Sequence, residues 1–521
     1  MSTFVSAVDA FGATRPDTVA FANSRGEAIT YGELKRASDA LAGYLLNADA
    51  EKRPVVVYGH KSPLMMACFH ACSKSGRAYV PIDIVYPELR VVDIMDQLGT
   101  PLVLNTTERD LSAFGDHMGG CVSLDELRAI IDGAGEEPAA LDPSHVVAGL
   151  DVFYILFTSG STGRPKGVEV MAECVDNFWA WMIDEFGEEG HGPDNPRVLF
   201  NRAPFSFDLS MTDIGLGLGA GDTMFALVEE DEADLARTFE ALKRANIDFW
   251  CSTASFADMC LRDPKFDREL LPNVKMFFFV GETLKNETAA KLLERFDGCE
   301  VVNGYGPTES TDLITAVRIT PEMCESDEPL PVGTAMPGCE LHILDPDTLE
   351  PVPAGQQGEL FIVGNTVAKG YFGREDLTEA AFHSCPESIA KGQRSYRTGD
   401  AAFLDPDGML QFRSRLDFQV KLHGFRIELG EIEAALCRIE GVDDACVLPI
   451  ERRGSISHLA ACVACPEAAG SDDAFTRVQE MKDELRKSLP EYMVPRKIAF
   501  LDELPLNVNG KIDRKKLREL V

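Results

Sequence analysis

The densest chemical signal in the chain is TSGSTGRPKG, residues 158 to 167. It follows the apolar run VFYILF, which reads as a strand. Gly160, Gly163 and Gly167 let the backbone turn tightly and present N–H groups to an anion. Thr158, Ser159, Ser161 and Thr162 add hydroxyl donors, and Lys166 adds a positive charge. Together they suit the oxygens of a polyphosphate. A Walker loop is excluded, because Pro165 occupies the place of the glycine before the lysine. A mobile Ser/Gly loop would account for the glycines, but not for the strand before them or the lysine after them.

Three further segments carry chemistry of the same kind. NGYGPTE, residues 303 to 309, offers an aromatic face at Tyr305, a hydroxyl at Thr308 and a carboxylate at Glu309. These suit base stacking, a phosphate contact and a magnesium ligand, since magnesium takes few protein carboxylates beside phosphate oxygens. YRTGD, residues 396 to 400, puts Asp400 after what reads as a tight turn, where a carboxylate can accept from ribose hydroxyls. NGKIDRKKL, residues 509 to 517, sets Lys511 after a glycine in a basic tail. Taken alone, the first is also a Gly-Pro turn, the second a weak signal and the third a solvated basic end.

Such groups need a large scaffold. At 521 residues the chain exceeds one hydrophobic core. Up to about residue 330, helical stretches such as ITYGELKRASDALAGYLLN alternate with short apolar runs such as PVVVYG, YVPID and VKMFFFVG, the rhythm of βαβ units and a parallel sheet. From 331 to 416 short strands and Gly/Pro turns dominate (CELHILDP, GELFIVG, GMLQFRS), predicting a β-rich subdomain. From 417 to 521 helices GEIEAALCRI and VQEMKDELRKSL alternate with strands ACVLPI and HLAACVA, predicting a small α+β domain of about 100 residues. The fold class is therefore α/β, with a core over 1–416 and a C-terminal domain over 417–521.

The formal net charge of −35 argues against nucleic acid as a partner. No apolar run of membrane-spanning length occurs, and the N-terminus lacks a basic start with an apolar core, so a cytoplasmic enzyme is expected. The 14 cysteines are scattered. Cys68 and Cys72 lie in a helix-like segment, and Cys462 and Cys465 in a strand-like one. Neither set has a matching second pair at zinc spacing, so buried small hydrophobes are expected.

Taken in order, TSGSTGRPKG, NGYGPTE, GELFIVG, YRTGD, RLDFQVKLHGFRIELGEIE and PLNVNGKIDRKKL resemble the adenylate-forming superfamily over nearly the whole chain. That superfamily contains acyl-CoA synthetases, luciferases and peptide-synthetase adenylation domains. VYGH, APFSFDLSMTDI, TASFADMCL and LLERF resemble the D-alanine–D-alanyl carrier protein ligase family, which performs the first step of teichoic acid D-alanylation.

The resemblance implies an ATP- and magnesium-dependent enzyme. A small amino acid, D-alanine foremost, becomes an adenylate and then passes to the phosphopantetheine thiol of a separate carrier protein. It implies that Lys511 bridges carboxylate and α-phosphate, and that Thr158, Ser159, Gly160, Ser161, Thr162, Gly163 and Lys166 hold the phosphates. Asn303, Tyr305, Gly306 and Thr308 complete the nucleotide site, Glu309 takes magnesium, and Asp400 and Arg415 hold the ribose. Asp208 pairs with the substrate ammonium. Left unpaired in an apolar pocket, such a carboxylate costs on the order of 3–5 kcal/mol, which disfavours a fatty-acid substrate. Asp417 matches the hinge about which the C-terminal domain rotates between half-reactions. The chain ends ten residues after Lys511, so the carrier is expected in trans, meeting basic residues such as Arg496 and Lys497. A monomer is expected.

The sequence departs from the family pattern at four places. Val280 stands for a cysteine, Gly304 for a threonine, Ala254 for a proline and Ser414 for a glycine. Val280 and Gly304 are therefore expected to reshape the substrate pocket, with Gly304 opening space. The competing readings are a freestanding peptide-synthetase enzyme for another small amino acid, an acyl-CoA synthetase and a non-catalytic nucleotide sensor. Lys511, Glu309 and Asp400 all argue against the sensor.

Lys511→Ala should lower adenylation about 100- to 1,000-fold, because the lysine offsets charge only in the first half-reaction. Thioester formation from preformed adenylate should survive. Equal loss in both half-reactions, measured separately, would give the tail a structural role instead.

Overall fold

The computed structural model describes residues 1–48, 51–136, 138–160, 164–187, 195–452, 455–466, 468–469, 474–505 and 512–521. The chain forms two compact units. The first comprises residues 1–84, 98–156 and 167–414; the second comprises 85–97, 157–166 and 415–521.

Among the described residues the first unit is built on a nine-stranded sheet, a seven-stranded sheet and a four-stranded one. In the nine-stranded sheet Val19–Asn23, Thr223–Ala226, Val198–Asn201, Phe249–Ser252, Met276–Phe279 and Glu300–Tyr305 run parallel, with antiparallel strands at the edges. Strands covered on both faces need no polar alternation. MFFF, residues 276 to 279, shows why: Phe277 and Phe279 enter one core, while Met276 and Phe278 enter the other. Trp250 anchors the first of these, its ring 4.6 Å from Phe200 and 5.3 Å from Phe266. Parallel strands all end on one side of their sheet. The loops that follow 198–201, 276–279 and 300–305 therefore emerge together, and they carry Asp208, Val280 and Thr308.

The β-rich part is an antiparallel sheet of Cys339–Leu344, Gly358–Gly364, Ser395–Leu404 and Leu410–Arg415. In the second unit Asp444–Arg452, Ser455–Ala464 and Lys497–Leu501 form a three-stranded sheet. Helices Leu429–Leu436 and Ala474–Leu485 bury Ile432, Leu436, Met481 and Leu485 in a core shared with Val447 and Val463. Cys68, Cys72, Cys462 and Cys465 are buried free thiols, and burial pushes Cys72 up to about 12. Among the described residues no helix is long and apolar enough to cross a membrane.

The helix Ser210–Ala220 follows Asp208 and is buried from Ser210 to Gly219. Its far end is pinned by Asp222. That carboxylate accepts from the Arg197 backbone N–H at 2.9 Å and from its Nε at 2.8 Å, while Arg197 also donates to the Phe186 carbonyl at 3.0 Å. Both side chains are 3% exposed. Within the helix, Asp213 accepts from Asn201 Nδ2 at 2.7 Å, and burial pushes its carboxyl up to about 8.

Two stability predictions follow from this helix. Asp222→Ala strands a buried guanidinium and should cost about 3–5 kcal/mol in urea unfolding. An unfolded aspartate ionises near 3.9, whereas folded Asp213 holds its proton to about 8. Between those values the native state binds the extra proton, so this group makes stability fall as pH rises. Asp213→Asn removes that slope. Its stability relative to wild type should therefore improve from pH 5 to pH 8, as followed by chemical denaturation.

Candidate active site

Asp208 lies in the turn that enters the buried helix. Its Oδ1 accepts from the Leu209 N–H at 3.0 Å, and its carbonyl accepts from the Met211 N–H at 2.6 Å. Its Oδ2 accepts from the Thr308 hydroxyl at 2.5 Å. A second contact mirrors the first: the Thr212 hydroxyl donates to Asp312 Oδ2 at 2.5 Å. Each segment thus contributes one acid and one hydroxyl, four residues apart, and each acid is held by the hydroxyl of the other segment. Thr212 and Asp312 were not singled out by the sequence reading. The signal available was spacing, because Thr212 follows Asp208 by one helical turn and Asp312 follows Thr308 by the same interval.

Tyr305 ends its strand with its ring 6.1 Å from Phe412 and its hydroxyl donating to Asp400. The sequence suggested a tight turn before Asp400. Instead YRTGD lies inside the strand Ser395–Leu404, at a bulge. Phe361 pairs with Arg397 and Glu359 with Ala401, so the strand gains two residues against its neighbour. Gly399, at φ +72°, takes the left-handed conformation that this requires. The bulge turns Asp400 toward Tyr305.

Asn303 donates to the Pro331 carbonyl at 2.8 Å and is 2% exposed. Gly306 is buried where the chain leaves the strand. Glu309 is 0% exposed and accepts from the Tyr371 hydroxyl at 2.7 Å, a partner the sequence did not suggest. One buried carboxylate with a fixing hydroxyl fits a magnesium ion that draws its other ligands from phosphate and water. At Gly304 the expectation of open space is corrected. A Cβ there would lie 2.9 Å from Leu313 Cδ1 and 3.0 Å from Val280 Cγ2, so those side chains already fill the volume.

In the second unit, Thr158 ends its strand with its hydroxyl oxygen buried. Ser159 Oγ donates to the Arg426 carbonyl at 2.7 Å. A Cβ on Gly160 would sit 2.0 Å from the Arg164 carbonyl, so only glycine fits at that position. Lys166 lies near Glu428, whose carboxyl burial pushes up while Arg426 and Lys166 draw it down. Ser161, Thr162, Gly163 and Lys511 lie outside the described residues. Arg415 Nε donates to Asp417 at 2.9 Å. Burial pushes the Asp417 carboxyl upward, but Arg415's hydrogen bonds and charge outweigh it and hold the group below the usual range. Arg496 and Lys497 are exposed, and with Arg452 they lie close enough to His458 to add to the effect of burial in lowering its pKa.

The family model of the AMP-binding enzymes matches residues 8–372, and that of the AMP-binding enzyme C-terminal domain matches 431–511. A D-alanine–D-alanyl carrier protein ligase of Bacillus licheniformis is 40% identical over 518 residues, 99% of each chain. One of Bacillus cereus is 40% identical over 512 residues, 98% of each. Among solved structures, an NRPS protein containing adenylation and PCP domains superposes with a TM-score of 0.81 at 26% identity, covering 99% of this chain and 83% of that one. The o-succinylbenzoate CoA synthetase of Bacillus subtilis shares the fold, with a TM-score of 0.81 at 19% identity and coverage of 100% and 98%. The chain belongs to the AMP-binding enzyme family, among the relatives of its D-alanine–D-alanyl carrier protein ligases.

Proposed function

We propose that this enzyme activates D-alanine with ATP as an aminoacyl-adenylate and then transfers the acyl group to the phosphopantetheine thiol of a separate carrier protein. The observation that carries this reading is the 2.5 Å contact between Thr308 and Asp208. An amino acid presents its ammonium and its carboxylate only a few ångströms apart. A site that activates it must therefore put the acid for the ammonium beside the donor for the α-phosphate. D-alanine is the substrate named for relatives 40% identical over nearly the entire chain.

In the first half-reaction a substrate carboxylate oxygen bonds to the α-phosphorus and the bond to the pyrophosphate oxygen breaks. Two anions meet, so donors must be in place where charge builds. Thr308 turns its hydroxyl from Asp208 to the α-phosphate as the substrate ammonium takes its place. Lys511 bridges carboxylate and α-phosphate, and the 158–167 loop with Lys166 holds the departing phosphates. Asp400, oriented by Tyr305, accepts from the ribose. Magnesium, held by Glu309, would offset phosphate charge when bound. In the second half-reaction the carrier thiol attacks the acyl carbon and AMP leaves. Rotation about Asp417 exchanges the two sets of groups. An acidic carrier would be met by the basic group of Arg452, Arg496 and Lys497, and the use of ATP and a thiol carrier supports a cytoplasmic reaction.

Asp208→Ala should lower D-alanine-dependent ATP–pyrophosphate exchange at least 100-fold while ATP binding, followed by calorimetry, persists. Exchange at near wild-type rate in the variant would put the amine elsewhere. A wild-type preference for an L or a larger apolar amino acid by more than tenfold would replace D-alanine with that substrate.

A further inference from the structure

Four more cations follow Lys511 in the basic tail: Arg514, Lys515, Lys516 and Arg518. Lys515, Lys516 and Arg518 face solvent, whereas Arg514 is turned inward. Its side chain is 24% exposed and meets three groups at once. One guanidinium nitrogen donates to the Val447 carbonyl at 2.7 Å, and another donates to Glu433 Oε1 at 2.7 Å. The centroid of the Phe418 ring lies 4.1 Å from its Cζ. Glu433 Oε1 also accepts from the Val447 N–H at 2.9 Å, which closes a small ring of contacts. An arginine serves all three partners because its planar group donates along its edges and still presents a face to an aromatic ring.

These partners lie in three different parts of the second unit. Glu433 stands in the helix Leu429–Leu436 and Val447 in the strand Asp444–Arg452. Phe418 is the residue after Asp417; 61% exposed, it lies outside the core and serves the arginine as a platform. The segment carrying Lys511 is also closed at its base, where the Pro505 carbonyl accepts from the Asp513 N–H at 2.7 Å. Asp513 then caps the short helix Arg514–Arg518 by accepting from the Lys516 N–H at 3.2 Å. Leu517 is 0% exposed and shares a core with Ile512, Leu448 and Cys462. Arg514 therefore stands three residues from Lys511, where the tail is tied to a helix, a strand and the neighbour of Asp417 together.

We infer that Arg514 is a positioning residue for adenylation: through Glu433, Val447 and Phe418 it fixes the tail that presents Lys511 to the reacting carboxylate and α-phosphate. This inference rests on the role proposed above for Lys511 and names the group that aims it. A lysine that must sit between two anions depends on its placement, and a shift of about 1 Å can cost about 100-fold in rate. The tie to Phe418 also makes the tail one piece with the chain beyond the hinge, so rotation about Asp417 carries Lys511 with the rest of the domain. The second half-reaction does not use Lys511 and is therefore indifferent to Arg514.

The test reads the two half-reactions of the full chain separately. ATP–pyrophosphate exchange with D-alanine reports the first, and thioester formation from preformed D-alanyl-adenylate and free pantetheine reports the second. Arg514→Ala should lower kcat for exchange about 30-fold or more, with KM for ATP and D-alanine changed less than about threefold. Its pantetheine step should stay within about threefold of wild type. Arg514→Lys, which keeps the charge beside Glu433, should recover part of the loss. Phe418→Leu, at an exposed ring where folding is not at stake, should lower exchange about threefold. In a Lys511→Ala background, Arg514→Ala should add less than about twofold, because one residue acts through the other. An undiminished further loss in that background, or a matching fall in the pantetheine step, would make Arg514 a structural residue and overturn the inference. Exchange by Arg514→Ala within about twofold of wild type would overturn it as well. Wild-type exchange by Lys511→Ala would instead remove the role of Lys511, and this inference with it.

Discussion

A carboxylate taken out of water must be met by donors, and this requirement shapes the centre of the molecule. Asp208, Asp312, Glu309 and Asp400 each accept from a hydroxyl: Thr308, Thr212, Tyr371 and Tyr305 respectively. Hydroxyls suit this work because they rotate. On the function proposed above, a hydroxyl donor can turn away when an ammonium, a metal ion or a ribose arrives, and no buried ion pair has to be broken.

The parallel sheet supplies the geometry. Because strands 198–201, 276–279 and 300–305 point the same way, groups distant in sequence emerge along one edge. The helix Ser210–Ala220 is held at its far end by the Asp222–Arg197 pair, so the turn at Asp208 is steadied by a contact at the opposite end of the helix. Relatives that act on different acids share this framework, which is why the substrate has to be argued from individual side chains.

Much of this was legible in the sequence, and the exceptions have physical causes. The 158–167 loop announces itself because glycine and hydroxyl content report directly on backbone shape and donors. The runs VVVYG and MFFF read as buried strands because a two-sided core removes alternation. The bulge at Gly399 was hidden, since a glycine before an acid looks the same in a tight turn as in a strand with inserted residues. Asp312 was hidden because STD resembles an ordinary turn, and its importance lies in a contact with a residue far away in the chain. Gly304 misled for the complementary reason: a missing side chain shows as space in sequence, but Val280 and Leu313 occupy it in three dimensions.

The two reciprocal contacts, Thr308 with Asp208 and Thr212 with Asp312, each join residues 100 positions apart. Neither can form until the intervening segment has been made and its strands have paired, and non-local closure of this kind is slow. During synthesis at about 5–20 residues per second, Asp208 and Thr212 therefore exist for several seconds before their counterparts Thr308 and Asp312 leave the ribosome. Over that interval Asp208 is a solvated anion, which helps to keep the nascent segment soluble. The contacts close late, so on the function proposed above a chain that misassembles its sheet has no assembled amino-acid site and makes no stray adenylate.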